Sequence, residues 1–469
     1  MINMTSVAII GAGITGLSSA YFIKKHYPNI DVTIYESTDR PGGKIKTLKK
    51  DGYVIELGPE SYLGRKTIMT EVANDIGISN DEIVTNQTGQ SFIYANNQLY
   101  PIPGGAILGV PTDIKPFVTT SLISLKGKLR VLKDLNMKPL PMTDDMSIGY
   151  FFRSRLGNEL LEKLIEPLLS GIYGTDIDKL SLMSTFPQFK TLEEKHGSII
   201  KGMKEVRKER QKDESKNRVG AQGQFKQFKN GLNYFIDKLS QWITEHGVEI
   251  RYNTPVQDLT ATQQGYHLKL NDDKTEFFDG VIITTPHQVF RNWFKKDPVF
   301  DYFNKLEASS VATIAMAFDD SKIENKYNGT GFVVSRTSEA HITACTWTSK
   351  KWPHTTPKGK TLIRAYIGKP GEQIVENHSE SELVEMAQQD LAKMMTFHGE
   401  PDFTIVNKMI QASPQYHVGH INNIKSIQQH IFDNYQHLQI TGAPFEAVGL
   451  PDCIKQAEKA VHQLMKRIH

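Results

Sequence analysis

Residues 6–16 read Ser-Val-Ala-Ile-Ile-Gly-Ala-Gly-Ile-Thr-Gly, and Glu36 closes the next apolar run twenty positions after Gly16. Glycines at this spacing suit the holding of a diphosphate. Gly11 makes the tight turn, Gly13 lets backbone approach the pyrophosphate, and Gly16 allows close helix–strand contact. Ala12, Ile14 and Thr15 complete the loop, where a helix start aims its amides and dipole at the phosphates. An acid ending the second strand accepts a ribose hydroxyl, which gives Glu36 that role, with Ser37 beside it. Further on stands Arg40-Pro41-Gly42-Gly43-Lys44. Its glycine pair admits backbone close to a ligand, and Arg40 and Lys44 bring two cations beside the pyrophosphate; the alternative is an exposed turn with solvated charges.

These residues need a particular set of elements around them. Strands are expected over 7–10 and 32–36, with a helix over 17–25. At the far end, 438–440 reads as a strand, Thr441-Gly442 as a turn, and Pro451-Asp452 as the start of a helix reaching Met465. Proline and an acid both suit a helix's first turn. Residues 231–246 form an amphipathic helical pattern, followed by strands over 248–252 and 278–285. The expected fold is therefore α/β: a Rossmann-type domain built from discontinuous segments, with an α+β substrate domain and a helical insertion. The expected divisions are 1–75, 206–290 and 406–469 for the nucleotide domain, 76–114 and 291–405 for the substrate domain, and 115–205 for the helical insertion. Within the insertion, Leu156, Leu160, Leu164 and Leu168 recur every four residues. The stretch 204–218, rich in both charge signs and nearly devoid of apolar residues, reads as an exposed or disordered loop, or else as a docking segment for an acidic partner.

A chain of 469 residues exceeds one ordinary core. Its formal charge of +3 offers no case for nucleic-acid binding. Two cysteines, Cys345 and Cys453, make neither a disulfide framework nor a metal set, which fits a reducing cytoplasm. The first strand begins too early to leave room for a signal peptide, and no run approaches the roughly 18 apolar residues of a membrane span.

The extended N-terminal pattern, with its second glycine pair, resembles the FAD-dependent amine-oxidase-like superfamily; plain NAD dehydrogenases are not expected to carry it. Residues 52–61, 171–181, 183–187, 414–420 and 445–454 narrow the resemblance to protoporphyrinogen-oxidase-type enzymes, and within them to the soluble coproporphyrinogen III oxidases of Gram-positive haem synthesis. The similarity runs along essentially the whole chain. It implies a noncovalent FAD and an oxygen-dependent, six-electron aromatisation of coproporphyrinogen III that releases hydrogen peroxide. The redox work belongs to the cofactor, so no side chain is singled out as catalytic and no metal is expected. By the same resemblance, Gly11, Gly13, Gly16, Glu36, Arg40, Gly43 and Lys44 hold the ADP half, and Val256 touches adenine. Gly58, Pro59, Glu60 and Ser61 pass beside the isoalloxazine, and Val448, Gly449 and Leu450 lie at its pyrimidine end. Lys408 and Met409 stand where an Arg-Trp pair is common, which places Met409 near the flavin. Ala447 replaces a common glycine.

Coproporphyrinogen carries four propionates, so its pocket needs cations. Arg65 and Lys66 follow the flavin-side loop; Lys66 is the favoured contact, against a plain exposed pair. Tyr173 and Gly174, with Thr175, are expected on the substrate side. His417 and His420 read chiefly as packing histidines. The competing functions are a protoporphyrinogen IX oxidase, a flavin amine oxidase, and a non-catalytic porphyrin-carrying flavoprotein. The run 311–318 lacks the lysine that amine oxidases often place near the flavin, and Cys453 sits at a helix start rather than in a covalent-attachment signature. The expected location is cytoplasmic, peripheral to the membrane at most, with transient contact with ferrochelatase as the partner left open.

Overall fold

The computed structural model describes residues 5–86, 89–141, 144–216, 223–271, 273–446 and 448–466. The chain forms two compact units, one of residues 1–85, 224–306 and 422–469, the other of 86–223 and 307–421.

The first unit is built on five parallel strands in the order Val248–Arg251, Asp31–Tyr35, Ser6–Ile10, Gly280–Ile283, Leu438–Ile440. Side chains alternate across such a sheet, and both faces are covered, which explains why its strands read as near-continuous apolar runs. Val7 and Ile9 face the helices Ile14–His26, Leu232–Glu245 and Leu450–Met465. Ala8 and Ile10 face the opposite way, into a core with the antiparallel strands Val256–Ala261, Tyr266–Leu270 and Thr275–Phe278 and the aromatics Phe290, Phe294, Phe300 and Phe303. Three separate stretches of chain supply the five strands. The α/β, Rossmann-type expectation stands.

The second unit carries a seven-stranded sheet in the order Phe403–Pro414, Ala308–Asp319, Lys360–Ile367, Ile342–Thr346, Gly331–Val334, Phe92–Ala95, Gln98–Pro101. Only the pairing of Gly331–Val334 with Phe92–Ala95 is parallel. Helix Glu380–Leu391 packs Leu383, Ala387 and Leu391 onto it and starts with a capping box in which Ser379 and Glu382 exchange hydrogen bonds. The leucine repeat does not form one continuous helix. Gly157, at φ +88°, breaks the chain after helix Ile148–Leu156, and a π-helical turn Leu161–Ile165 precedes helix Glu166–Tyr173. A buried ionic network fastens this helical part. Arg155 meets Asp134 at 2.6 Å and Glu193 at 3.3 Å, and Lys190 reaches Glu193 at 2.7 Å. Asp134 also accepts from Ser198 Oγ and the Ile200 amide, and Arg155 donates to the carbonyls of Lys138 and Gly197. The network is thus satisfied on every side, as buried charge requires.

Two expectations change. The charged stretch 204–218 is not a loop: helix Ile199–Lys216 runs through it, anchored by the buried Ile199, Ile200 and Met203. Lys, Glu, Arg and Gln are good helix formers, and Glu205 pairs with Lys208 one turn on at 2.7 Å. Residues 217 and 218 lie outside the described residues. The divisions also fall elsewhere. The helical stretch and the β-rich stretch share one unit, residues 206–223 and 406–421 fall with them, and 76–85 and 291–306 belong to the first unit with the parallel sheet. Strand Phe403–Pro414 pairs along nearly its whole length with Ala308–Asp319, which carries its end out of the parallel sheet.

Candidate functional site

The glycine loop of the first unit has the local geometry its sequence implies. Gly11 takes φ +103°, and a Cβ at Gly16 would stand 1.9 Å from the Gly11 carbonyl oxygen, so neither position tolerates a side chain. A Cβ on Gly13 would meet nothing within 4 Å, which leaves its face open to a ligand. Gly13 is also the N-cap of helix Ile14–His26, and that helix has no side-chain cap and no acid in its first turn. Its first amides are therefore available to an anion. Thr284, at the end of the neighbouring strand, donates to the carbonyls of Ile10 and Gly11 and braces the turn from behind.

Glu36 is buried and engaged on both oxygens. One accepts the Ala12 amide at 2.8 Å; the other accepts the Thr38 amide at 2.9 Å and the Thr38 hydroxyl at 2.8 Å, with Ser37 Oγ at 3.3 Å. The acid ties the glycine loop to the turn after the second strand. The second glycine pair lies against the first loop. Gly42 donates to the Ala12 carbonyl at 2.8 Å, and a Cβ on Gly43 would sit 3.4 Å from Gly13 Cα. Arg40 spends its guanidinium on the carbonyls of Pro41, Gly43 and Ile45. It shapes this turn directly, whatever else it reaches. Lys44 is exposed along its side chain but hemmed in by protein, and that desolvation pushes its ammonium below the usual lysine value, with the Cys453 thiol opposing. Gly58 lies so close to this turn that a Cβ would come within 2.0 Å of the Lys44 carbonyl oxygen. Pro59 and Ser61 are half-buried beside it, and the Glu60 carbonyl is held by Gln227 Nε2.

The helix Leu450–Met465 brings its N-terminal end to the same region, where Cys453 is hydrogen-bonded with Thr15. Gly449 caps it, Val448 precedes it half-buried, and Leu450 is buried. Burial pushes the Cys453 thiol up to about 11, so it stays protonated and a poor nucleophile. Lys66 bonds both carboxylate oxygens of Asp452, at 2.5 and 2.6 Å, in the first turn of this helix. That pairing spans 386 positions and was not anticipated. Arg65 is exposed. Val256 is buried at the start of strand Val256–Ala261, beside the Thr254 amide that donates to the Glu36 carbonyl. Ala447 lies outside the described residues.

In the second unit, two motifs far apart in sequence are joined. The Ser181 amide donates to the Tyr416 carbonyl at 2.7 Å, and the Val418 amide to the Lys179 carbonyl at 3.0 Å. Asp145 locks the junction by accepting from Ser181 Oγ and the Gly419 amide on one oxygen, and from the Met146 and Met183 amides on the other. Sequence inspection missed Asp145, Thr284 and Ser309 because no fixed spacing flags them. Gly174 takes φ +58°, and a Cβ there would meet Ser309 Oγ at 3.0 Å; Ser309 in turn accepts from Gln415 Nε2. Tyr173 closes helix Glu166–Tyr173. His420 is buried and stacks on Tyr416 at 4.4 Å between ring centroids, the packing role read from sequence. His417 is half-buried, and burial first, then Lys179, pushes its imidazole pKa down against the pull of Glu307 and Asp176. Met409 lies opposite Val311, and Lys408 donates to the His378 carbonyl. Among the described residues no cluster of His, Cys, Asp or Glu is suited to a metal ion.

A parallel sheet, an uncapped helix behind a glycine turn, and a strand-end acid give the first unit a Rossmann-type fold. The chain belongs to the flavin-containing amine oxidoreductase family, whose pattern matches residues 14–420; it is an oxidoreductase that works with a flavin. It is 62% identical to the coproporphyrinogen III oxidase of Staphylococcus aureus over 99% of both chains, and 43% identical to that of Bacillus subtilis over 97% of both. A tobacco chloroplast protoporphyrinogen oxidase is 29% identical, over 97% of this chain and 84% of its own. Among solved structures, an Exiguobacterium protein assigned as a protoporphyrinogen oxidase superposes with a TM-score of 0.86 at 34% identity, covering 98% of both chains. Reduced UDP-galactopyranose mutase, at 12% identity, shares the fold with a TM-score of 0.72 over 98% of this chain and 96% of its own.

Proposed function

We propose that the protein oxidises coproporphyrinogen III to coproporphyrin III in haem biosynthesis, with noncovalent FAD as cofactor. The observation that carries this reading is the full-length similarity, at 62% identity, to a coproporphyrinogen III oxidase. The cradle supports FAD: Gly13 presents an open face, the helix behind it is uncapped, and Gly43 closes against it. When bound, FAD supplies two-electron acceptance from carbon, and three rounds with oxygen as terminal acceptor remove six electrons and yield three hydrogen peroxide molecules per porphyrin. The chain's part is to bind, orient and exclude water. In the ADP half, Gly13, Ile14 and Thr15 offer backbone donors to phosphate, Ala12, whose amide Glu36 holds, shapes the loop beside them, Glu36 offers an acceptor to ribose, and Val256 backs the adenine. Gly58 to Ser61, Met409 and Val448 to Leu450 are the proposed ring contacts. The protonated Cys453 supports a cofactor without a covalent link.

Lys66, Tyr173 and Gly174 are the proposed substrate contacts. An ammonium carries three donors and Lys66 gives two bonds to Asp452, so a propionate would share Lys66 with that carboxylate. A second reading, protoporphyrinogen IX oxidase, is favoured by the Exiguobacterium and tobacco relatives. Parallel turnover measurements on both porphyrinogens separate the two, since the four-carboxylate substrate should be used more efficiently.

No helix among the described residues is long and apolar enough to cross a membrane. The proposed location is cytoplasmic, with peripheral membrane contact. Exposed Ile114, Val118, Leu125 and Leu129 lie on two short helices joined by a Lys128–Val118 carbonyl bond, among Lys115 and Lys126. Apolar side chains flanked by lysines suit an anionic lipid surface. Contact with ferrochelatase is the corresponding proposal for product transfer. Co-sedimentation with anionic vesicles tests the lipid contact; its loss in Leu125→Ser/Leu129→Ser is the expected result.

A further inference from the structure

Glu166 opens helix Glu166–Tyr173 directly after the π-helical turn Leu161–Ile165. Such turns recur at functional sites because they offset the helix and redirect its side chains. One oxygen of Glu166 accepts from Arg336 Nη1 at 3.1 Å, while Oε2 is buried and has no partner among the described residues. The residue is only 7% exposed, so an ionised carboxylate here carries an unsatisfied oxygen, which is costly. The charged groups around it come from several elements. Arg336 also lies 3.8 Å from Asp176 and 3.8 Å from Asp178. Arg153, on helix Ile148–Leu156, holds Asp178 by both oxygens at 2.8 and 3.1 Å. Glu162 on the π turn adds a further negative charge, and its carbonyl is fixed by Ser335 Oγ. Glu166, Asp176 and Asp178 therefore share two guanidiniums, one negative charge in excess. Gly149 lets the arrangement close: a Cβ there would stand 2.1 Å from Asp178 Oδ1.

We propose that Glu166 is a positioning residue for residues 171–178, taking up a proton at its unpartnered oxygen and so setting how Arg336 is divided between Glu166 and the two aspartates that follow Gly174. The inference rests on the reading that Tyr173 and Gly174 face the porphyrinogen. With Glu166 neutral, Arg336 is released toward Asp176 and Asp178, and the loop is drawn onto its two arginines. With Glu166 ionised, it competes for Arg336 and the loop slackens. Burial pushes the Glu166 pKa up to about 7, with Arg336 opposing and Asp178 and Asp176 adding to the rise. A carboxyl raised from the ordinary value of 4.5 to about 7 favours the folded state when protonated. That stability is complete at low pH and is lost as pH rises through about 7.

The test compares wild type with Glu166→Gln, which imitates the neutral acid, between pH 5.5 and 8.5. Thermal midpoints and the KM for coproporphyrinogen III are read in parallel. The wild type is expected to lose about 2–4 °C relative to Glu166→Gln between pH 5.5 and about 7 and to level off above it, and its KM to rise several-fold through about pH 7. In Glu166→Gln neither quantity should show that transition. A difference in thermal midpoint that stays constant with pH would overturn the proposal, since Glu166 would not be the titrating group. A titrating midpoint with a KM profile identical in both proteins would overturn it too, and with it the placement of Tyr173 and Gly174. A wild type that turns over no coproporphyrinogen at any pH would instead sink the functional reading, while the thermal comparison would still decide whether Glu166 titrates.

Discussion

Glu36, the proposed ribose acceptor, also braces the fold. Its carboxylate accepts the amides of Ala12 and Thr38 and so joins the glycine loop to the turn after the second strand. Glu36→Ala should therefore weaken FAD binding by about 1.5–3 kcal/mol, the worth of a charge-assisted hydrogen bond plus some loosening of the loop. Titration of the apoprotein with FAD reads this directly, and an unchanged dissociation constant would remove Glu36 from the site. Residues of this kind are legible in sequence because the chemistry fixes their spacing: a glycine turn, a helix start and a strand-end acid must recur at set intervals. Lys66 is the contrary case. Its position just after the loop 58–61 suggested a free cation, but Asp452 holds it from the far end of the chain. Nothing local announces such a partner. Asp145 and Ser309 escaped notice for the same reason, each acting on segments remote in sequence.

At the scale of elements, the parallel strands could be recognised from short Val- and Ile-rich runs bounded by turns, the helix Leu232–Glu245 from its apolar periodicity, and the helix Leu450–Met465 from the proline and acid at its start. The helix Ile199–Lys216 could not, since its apolar anchor occupies only the first turns and charged residues fill the rest. Low hydrophobicity argued for disorder there, whereas helix propensity and an anchored start prevailed. The buried network around Arg155 shows how the helical part is held. Removing the guanidinium leaves the fully buried Asp134 without its counter-charge and Glu193 with Lys190 alone. Arg155→Ala is expected to destabilise by about 3–5 kcal/mol, measured as a lowered denaturant midpoint. A loss below about 1 kcal/mol would mean that Lys190 and the backbone donors suffice.

For the whole molecule, the outline of the fold was readable but its division was not. Segments that alternate along the chain were separable as nucleotide-type or otherwise, yet which of them share a core depends on long-range pairing such as that of Phe403–Pro414 with Ala308–Asp319. The cofactor claim is checked at this scale. Acid precipitation of the purified yellow protein should release its flavin as FAD into the supernatant, and flavin retained in the pellet would contradict noncovalent binding. The central claim is the substrate, and it meets its most direct test in steady-state oxygen consumption with coproporphyrinogen III and protoporphyrinogen IX on the same preparation. The expected result is a higher kcat/KM for coproporphyrinogen III, with three oxygen molecules consumed per porphyrin formed. A clear preference for protoporphyrinogen IX, or no oxygen uptake with either porphyrinogen, would contradict it.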